Sequence, residues 1–249
     1  MRNIKETKQY IVGDYHKDLI TEIEKQITLN NYKLEGDRIW SPYGSEIEDY
    51  EYYFRHVLRG EKIVDFIKNK PSIVAIDLMS PSITLENLFY MLPPDRPRLG
   101  IALSYCDNRT SIMKERDERM GIKQLSGDIL EFETWEKIEE TLNGKKADLI
   151  MERAIDGKNH IASDIRIHAA LLKLIWNFTS FDNGVILLEM PHYGGYSNEI
   201  VVNGKRRKFI EWIELLKDTK IEVEYSPILW ETIKIVKTPN SPQNLPFLE

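Results

Sequence analysis

The sequence predicts an α/β fold built on a doubly wound sheet of seven strands, the last of which runs antiparallel to the others. The first observation is that apolar segments of strand length alternate with helical patterns from Pro71 onward. The second is that these strands are apolar on both faces, which is typical of a parallel sheet covered by helices on each side. The third is the link Pro227–Trp230 between the last two strands, which is too short for a parallel crossover and therefore predicts an antiparallel pair.

Seven segments have the pattern of strands, and five have the pattern of helices between them. The strands are predicted at residues 72–78, 98–104, 121–127, 147–153, 183–190, 221–226 and 231–237. The helices are predicted at residues 83–92, 110–120, 134–143, 163–181 and 206–219. The basic run at residues 205–208 is interpreted as the solvated start of the last helix.

Three regions are predicted along the 249 residues, which suffice to bury a substantial core. Residues 1–70 form a mostly helical N-terminal extension. Its aromatic segment, residues 39–54, is interpreted either as a lid over a ligand or as a cap that packs its rings on the edge of the sheet. Residues 71–238 form the sheet domain, and residues 239–249, which contain three prolines, form a tail that runs over the surface.

Composition and charge exclude several classes of protein. The formal net charge of −6 provides no general attraction for nucleic acid, so no nucleic-acid partner is expected. The single cysteine, Cys106, excludes an internal disulfide and a multi-cysteine zinc site. No apolar stretch approaches 18 residues and the first residues lack a signal-peptide pattern, which predicts a cytoplasmic protein without a membrane span. The oligomeric state stays open.

The carboxyl ends of the strands are the expected ligand edge, because doubly wound sheets bind ligands there, near the point where strand order reverses. Three aspartates fall at this edge: Asp77 inside the first strand, Asp107 after the second and Asp128 after the third. A carboxylate within an apolar strand needs donors or a cation, so Asp77 either binds a ligand or belongs to a structural network. Asp107 and Asp128 have the alternative of turn or cap residues.

The order of these elements resembles that of a class I S-adenosylmethionine-dependent methyltransferase, a Rossmann-like family, over roughly residues 50–238. The segments that carry the resemblance are SIVAIDLMSPS at the first strand, LSGDIL at the third, ADLIMERAIDG at the fourth, GVILLEMP at the fifth and WETIKIVKTP at the closing strand. The resemblance implies S-adenosylmethionine as the cofactor and methyl transfer as the reaction. The expected acceptor is a small molecule.

The resemblance also implies roles for individual residues. Asp77 faces the ammonium group of the cofactor, and the backbone of Met79 and Ser80 lies close to it. Asp107 is the nearest candidate for the ribose, and Asp128 accepts a hydrogen bond from the adenine amino group. The remaining cofactor candidates are Ile129 and Glu152.

The substrate side is expected to follow the fourth strand. The candidates for catalysis are Glu152, Arg153 and His160, of which His160 is best placed to act as a general base. The carboxylates Glu152, Asp156 and Asp164 do not have a known metal-binding spacing, and no metal is assigned.

The loop after the first strand departs from the family pattern. It reads Met79-Ser80-Pro81-Ser82 where the family has glycines that let the backbone approach the cofactor. The second strand has Ala102 near the position where the family tends to carry the ribose-binding acid. A second interpretation is therefore a non-catalytic Rossmann-like binding or scaffold module with a degenerate cofactor loop. A nicotinamide-dependent oxidoreductase is disfavoured because G-x-G-x-x-G is absent after the first strand.

Overall fold

The structure is a computed structural model. It describes residues 46–78, 80–104, 107, 109–127, 129, 132–153, 165–189, 199–228 and 231–248. Within these ranges, no helix combines the length and the apolar character that a membrane crossing requires.

Nine strands form in the described part of the chain. They are β1 (Ile73–Leu78), β2 (Arg98–Ser104), β3 (Ile122–Ser126), β4 (Leu149–Glu152), β5 (Gly184–Glu189), β6 (Glu199–Val202), β7 (Lys205–Lys208), β8 (Glu222–Ser226) and β9 (Thr232–Lys237). Seven of them make one sheet in the order β3-β2-β1-β4-β5-β9-β8. The pairs from β3 through β5 are parallel, whereas β9 is antiparallel to both of its neighbours. The predicted Rossmann-like sheet with one antiparallel strand is confirmed.

Helices cover both faces of this sheet. They are α1 (Ile47–Leu58), α2 (Ile83–Tyr90), α3 (Ser111–Met120), α4 (Phe132–Leu142), α5 (Ile165–Phe178) and α6 (Phe209–Lys217), with a 3₁₀ turn at Ile63–Phe66. Val74, Ile76 and Leu78 of β1 pack with α4, α5 and α6. Ile73 and Ala75 pack with α1 and α2 on the other face. Because side chains alternate along a strand, Asp77 continues the row that faces α1 and α2.

The basic run at residues 205–208 is not the start of a helix, as the sequence had indicated. It forms β7, which pairs with β6 in an antiparallel hairpin. Asn203 and Gly204 at the turn have φ angles of 49° and 69°, the left-handed conformation that a two-residue hairpin turn requires. Ile200 and Val202 anchor the hairpin in the core, and the four basic residues of β7 are exposed.

The tail differs from the expected surface segment. Leu245 and Leu248 are buried in the same cluster as α5 and α6. The indole N–H of Trp176 donates to the carbonyl oxygen of Gln243 at 3.1 Å. The tail is therefore anchored in the core by these two leucines, although Pro239, Asn240, Gln243 and Asn244 are exposed.

Candidate functional site

The strand order reverses between β1 and β4, with β2 and β3 on one side and β5 on the other. The carboxyl ends of β1 and β4 are adjacent, since Leu78 pairs in register with Glu152. In open α/β sheets this is the position of the ligand crevice. The candidate site is therefore built from the ends of β1 and β4 and the loops that follow them.

Asp77 is the central group of this edge. It is fully buried, and its Oδ1 accepts a hydrogen bond of 2.9 Å from the hydroxyl group of Tyr50 on α1. The hydroxyl groups of Ser80 and Thr84 lie near the carboxyl group, but Oδ2 has no partner of normal hydrogen-bond geometry among the described residues. A buried carboxylate oxygen without a partner costs free energy unless a ligand or a proton satisfies it.

The environment favours the neutral form of Asp77. Burial raises the pKa of Asp77 to about 8, and the charge of Glu152 adds to this increase. The hydroxyl groups of Tyr50, Thr84 and Ser80 oppose it, because they stabilise the carboxylate. Burial, followed by the charge of Asp77, also raises the pKa of Tyr50 well above its ordinary value. At neutral pH the pair consists of a neutral carboxyl group and a neutral phenol.

The segment that follows β1 contains serines where glycines were expected from the family pattern. The backbone N–H of Ser80 donates to the carbonyl oxygen of Leu103 at 2.8 Å, which ties this loop to the end of β2. The Ser80 Oγ lies 3.2 Å from the Thr84 Oγ1. Ser82 precedes α2 and is fully buried, and its Oγ has no hydrogen-bond partner among the described residues. The side chains of Ser80 and Ser82 fill space that glycines would leave open.

Glu152 and Arg153 lie at the end of β4 and are buried together with Asp77. The guanidinium group of Arg153 lies 3.5 Å from the ring centroid of Tyr53 and 5.9 Å from that of Tyr50. This cation–π contact brings α1 against the carboxyl edge of the sheet. The structure thus brings together Asp77, Ser80, Glu152 and Arg153, all of which the sequence had singled out.

Asp107 lies after β2 and is held by Arg109. The Arg109 Nε is 2.9 Å from the Asp107 Oδ1, and the Nη2 is 3.0 Å from the Oδ2. These hydrogen bonds lower the pKa of Asp107 to about 2. Since both carboxylate oxygens are engaged, a ribose diol at this position would have to share them with Arg109.

Asp117 is a second acid that contacts Arg109. It is fully buried, and the sequence pattern had not indicated it. The Arg109 Nη1 also donates to the Asp117 Oδ2 at 2.5 Å, and the charge of Asp117 acts on Glu86 of α2. Burial and Asp117 raise the pKa of Glu86 to about 7, against the lowering effect of Arg116. The Arg116 Nε of α3 also lies 2.6 Å from the Glu86 Oε2, and this ion pair links α2 to α3.

The third strand ends in a tightly packed turn. The N–H of Gly127 donates to the carbonyl oxygen of Ser104 at 3.1 Å. Ile129 is buried, and its carbonyl oxygen accepts a hydrogen bond of 2.7 Å from the indole N–H of Trp135. The backbone on both sides of Asp128 is therefore held to β2 and α4.

Three predicted site residues, Met79, Asp128 and His160, lie outside the described residues, and their assignments stay predictions. Tyr50 was missed as an individual residue, because the sequence indicated only an aromatic segment and Tyr50 lies 27 residues from Asp77. Among the described residues, no group of three or more histidine, cysteine, aspartate or glutamate side chains is arranged to hold a metal ion.

Comparisons with known proteins return similar structures only. No protein-family model and no curated protein matches the chain. A putative O-methyltransferase from Klebsiella pneumoniae is 11% identical over 89% of this chain and 90% of its own, with a TM-score of 0.43. A putative methyltransferase from Streptococcus mutans, in complex with SAH, is 11% identical over 70% of this chain and 94% of its own, with a TM-score of 0.42.

A third similar structure is a release factor-specific protein-(glutamine-N5) methyltransferase from Alicyclobacillus acidocaldarius. It is 17% identical over 77% of this chain and 93% of its own, with a TM-score of 0.38. All three proteins are methyltransferases by name. At these identities and TM-scores the similarity carries no conclusion about activity, and the fold assignment depends on the strand order of the sheet itself.

Proposed function

We propose that the chain catalyses S-adenosylmethionine-dependent methyl transfer to a small-molecule acceptor. The observation that carries the proposal is Asp77, a fully buried acid at the point where strand order reverses, with an unsatisfied Oδ2 among the described residues. A buried acid of raised pKa in this crevice is typical of a functional site rather than of a stabilising contact. The fold alone would not support an activity.

The residues at this edge fit the amino acid part of the cofactor. The unsatisfied Oδ2 of Asp77 is an acceptor for an ammonium group, which would also favour the charged form of the carboxylate. The unsatisfied hydroxyl of Ser82 is a donor or acceptor at the start of α2. We assign the ribose to Asp107 and the adenine amino group to Asp128, and the backbone of Met79 and Ser80 to the loop beside the cofactor.

The acceptor side is assigned to the residues that follow β4. When bound, S-adenosylmethionine supplies an electrophilic methyl group on a sulfonium. The protein then has to align the acceptor atom, exclude water and, for some acceptors, remove a proton. We assign the proton transfer to His160, and the positioning of the acceptor to Glu152 and Arg153, which are buried at the carboxyl end of β4.

Calorimetric titration with S-adenosylmethionine and with S-adenosylhomocysteine tests the proposal. The wild-type protein should bind both ligands, and Asp77→Asn should weaken binding by at least about tenfold, as expected when a charge-assisted hydrogen bond is lost. Asp95→Asn is the matched control, because Asp95 is exposed and precedes the amino end of β2, whereas the site lies at the carboxyl ends of the strands. Absence of binding heat with both ligands for the wild-type protein would refute the proposal.

The second candidate function is a non-catalytic binding or scaffold module. One observation favours it: Tyr50 already satisfies the Asp77 Oδ1, and serine side chains occupy the loop after β1. Under this alternative, neither ligand binds and Asp77→Asn changes only stability. The same titration therefore distinguishes the two candidates.

A further inference from the structure

Asp117 is the only buried residue of α3. The helix has the sequence SIMKERDERM, and its remaining residues are exposed or half-buried. An aspartate at this position buries little apolar area, and burying its charge costs free energy unless a partner compensates for it. The partner is Arg109, whose Nη1 donates to the Asp117 Oδ2 at 2.5 Å. The one buried side chain of α3 is therefore paired with an arginine that lies outside the helix.

Arg109 holds Asp107 with the rest of its guanidinium group. The Nε donates to the Asp107 Oδ1 at 2.9 Å and the Nη2 donates to the Oδ2 at 3.0 Å, which is the paired geometry that arginine and carboxylate groups favour. The backbone N–H of Arg109 also donates to the Oδ1, at 3.1 Å. One planar group thus connects the buried acid of α3 to an acid in the loop after β2. The position of the Asp107 carboxylate therefore depends on that of Asp117.

The bonds to Arg109 leave Asp107 with one open acceptor position among the described residues. A carboxylate has about four lone-pair sites, two on each oxygen. The Oδ1 accepts two hydrogen bonds from Arg109 and the Oδ2 accepts one, so the Oδ2 can accept one more. The Lys114 Nζ lies 3.5 Å from the Oδ2, but this side chain is 50% exposed and can turn to the solvent. A ribose can therefore direct one hydroxyl group, and not two, to Asp107 while Arg109 stays in place.

We infer that Asp117 is a positioning residue, which acts through Arg109 to orient Asp107 so that it accepts a single ribose hydroxyl group. The inference rests on the proposed function, because it takes Asp107 as the residue that binds the ribose. A carboxylate with both oxygens open would bind the two hydroxyl groups alike, whereas this one distinguishes them. Asp117 is fully buried and acts only through Arg109, so its effect on affinity should require the hydroxyl group that Asp107 accepts.

A purely structural role for Asp117 makes a different prediction. If Asp117 only holds α3 in place, Asp117→Asn lowers the free energy of unfolding and changes the affinity for all ligands by the same factor. If Asp117 positions Asp107, the change in affinity depends on which hydroxyl groups the ligand carries. Asp117→Asn keeps the shape and one acceptor oxygen but removes the charge, and Asp117→Ala removes the acceptor altogether. Glu118→Gln is the matched control, since Glu118 is the next residue of α3 and is exposed.

The experiment is a calorimetric titration with S-adenosylhomocysteine and with its 2′-deoxy and 3′-deoxy analogues. Wild type is compared with Asp107→Ala, with the two Asp117 variants and with Glu118→Gln, and far-UV circular dichroism and urea unfolding establish that each is folded. Asp107→Ala should weaken binding of S-adenosylhomocysteine and of one analogue by about 10- to 100-fold, as expected when a hydrogen bond to a charged group is lost. Its affinity for the other analogue should stay within about twofold of the wild-type value, because that analogue lacks the hydroxyl group that Asp107 accepts.

The Asp117 variants should show the same dependence on the ligand with a smaller change. Asp117→Asn should weaken binding of S-adenosylhomocysteine and of the sensitive analogue by about 2- to 12-fold, the range of one neutral hydrogen bond, because Asp107 is retained but held less firmly. Asp117→Ala should weaken it at least as much. With the insensitive analogue both variants should match wild type, and Glu118→Gln should match wild type with all three ligands.

The outcomes separate this inference from the proposed function. If wild type binds S-adenosylhomocysteine but Asp107→Ala weakens binding of all three ligands, or of none, the inference is overturned and the proposed function stands. An effect of Asp117→Asn that is absent, or equal for all three ligands, also overturns the inference alone. If wild type binds neither S-adenosylmethionine nor S-adenosylhomocysteine, the proposed function is refuted and the inference fails with it.

Discussion

Glu152 ends the strand beside Asp77, and its negative charge adds to burial in raising the pKa of Asp77 to about 8. Burial and the neighbouring charge thus disfavour ionisation of Asp77. Such an arrangement lowers stability at neutral and higher pH, and natural proteins retain this kind of cost mostly at functional sites.

The pH dependence of stability provides the first prediction. The pKa of Asp77 is higher in the folded chain, about 8, than its ordinary value of 3.8, so the folded state binds this proton more tightly than the unfolded state. The stabilising contribution of Asp77 to the free energy of unfolding is therefore fully present below about pH 4 and is lost as the pH rises through 8. Asp77→Asn should remove this loss and should increase the free energy of unfolding at pH 8.5, by up to about 5 kcal/mol. Urea unfolding between pH 5 and 9 measures it, and Asp95→Asn should retain the slope of the wild type.

Gly127 provides the second prediction. A Cβ atom at this position would lie 2.3 Å from the Oγ1 of Thr134, which is buried on α4. Gly127→Ala should therefore lower the free energy of unfolding by about 1–3 kcal/mol, as overpacking of a buried contact does. Thr134→Ala removes the obstructing atoms, so the double variant should recover part of the loss. Additive effects in this double-mutant cycle would show that the close contact is not the cause.

Asp128 provides the third prediction. If its carboxylate accepts the adenine amino group, Asp128→Ala should weaken S-adenosylmethionine binding by roughly threefold to a hundredfold. Stability should change by less than about 1 kcal/mol, as for ordinary surface substitutions. Calorimetry and urea unfolding of the same variant measure both quantities. A loss of stability with unchanged affinity would instead identify Asp128 as a turn or cap residue.

Lys237 provides the fourth prediction. Its buried ammonium group donates to the carbonyl oxygens of Trp176 at 2.7 Å and Thr179 at 3.0 Å, where α5 ends. Lys237→Met keeps most of the side-chain volume but removes two charge-assisted hydrogen bonds to buried carbonyl groups, so the free energy of unfolding should fall by about 2–4 kcal/mol. Lys173→Met, at an exposed position of α5, is the control and should change stability by less than about 0.5 kcal/mol. Thermal or urea unfolding compares the two, and equal effects would contradict the assigned role.

The parallel strands were predictable because they are short apolar segments between helical patterns, a signal that is local in the chain. Predicted and observed bounds of β2 coincide, and those of β9 differ by one residue. The antiparallel direction of β9 followed from a link too short for a crossover. The main sheet was therefore accessible from periodicity and loop length alone.

The hairpin β6–β7 was missed although its signal was present. Asn203-Gly204 is a preferred two-residue turn, and Ile200 and Val202 before it alternate with the period of a strand. The adjacent basic run was interpreted with the helix that follows it, which concealed the turn. Burial of the tail, in contrast, had no local signal, because its hydrogen bonds to Trp176 and Trp212 span 67 and 34 positions of the chain.

Part of the candidate site was predictable from the sequence, because some of its residues lie at strand ends whose positions could be predicted. Asp77, Ser80, Glu152 and Arg153 lie at the carboxyl ends of β1 and β4 or just beyond them, and parallel strands bring these ends to one edge of the sheet. Tyr50 and Glu86 reach this region from helices, whose rotation about their own axes is set by packing on the sheet. That rotation was not readable from spacing, so neither side chain could be paired with its acidic partner in advance.

The position of β9 between β5 and β8 has a consequence for synthesis on the ribosome. A nascent chain that lacks residues 232–248 has β5 as an open, apolar sheet edge and cannot attach β8, whose place in the sheet depends on β9. It also leaves the indole groups of Trp176 and Trp212 without the carbonyl partners that Gln243 and Pro246 provide. Open sheet edges of this kind pair with other chains. We therefore expect the growing polypeptide to need protection, for instance by chaperones, until residues 232–248 have been translated and β9 and β8 can join the sheet.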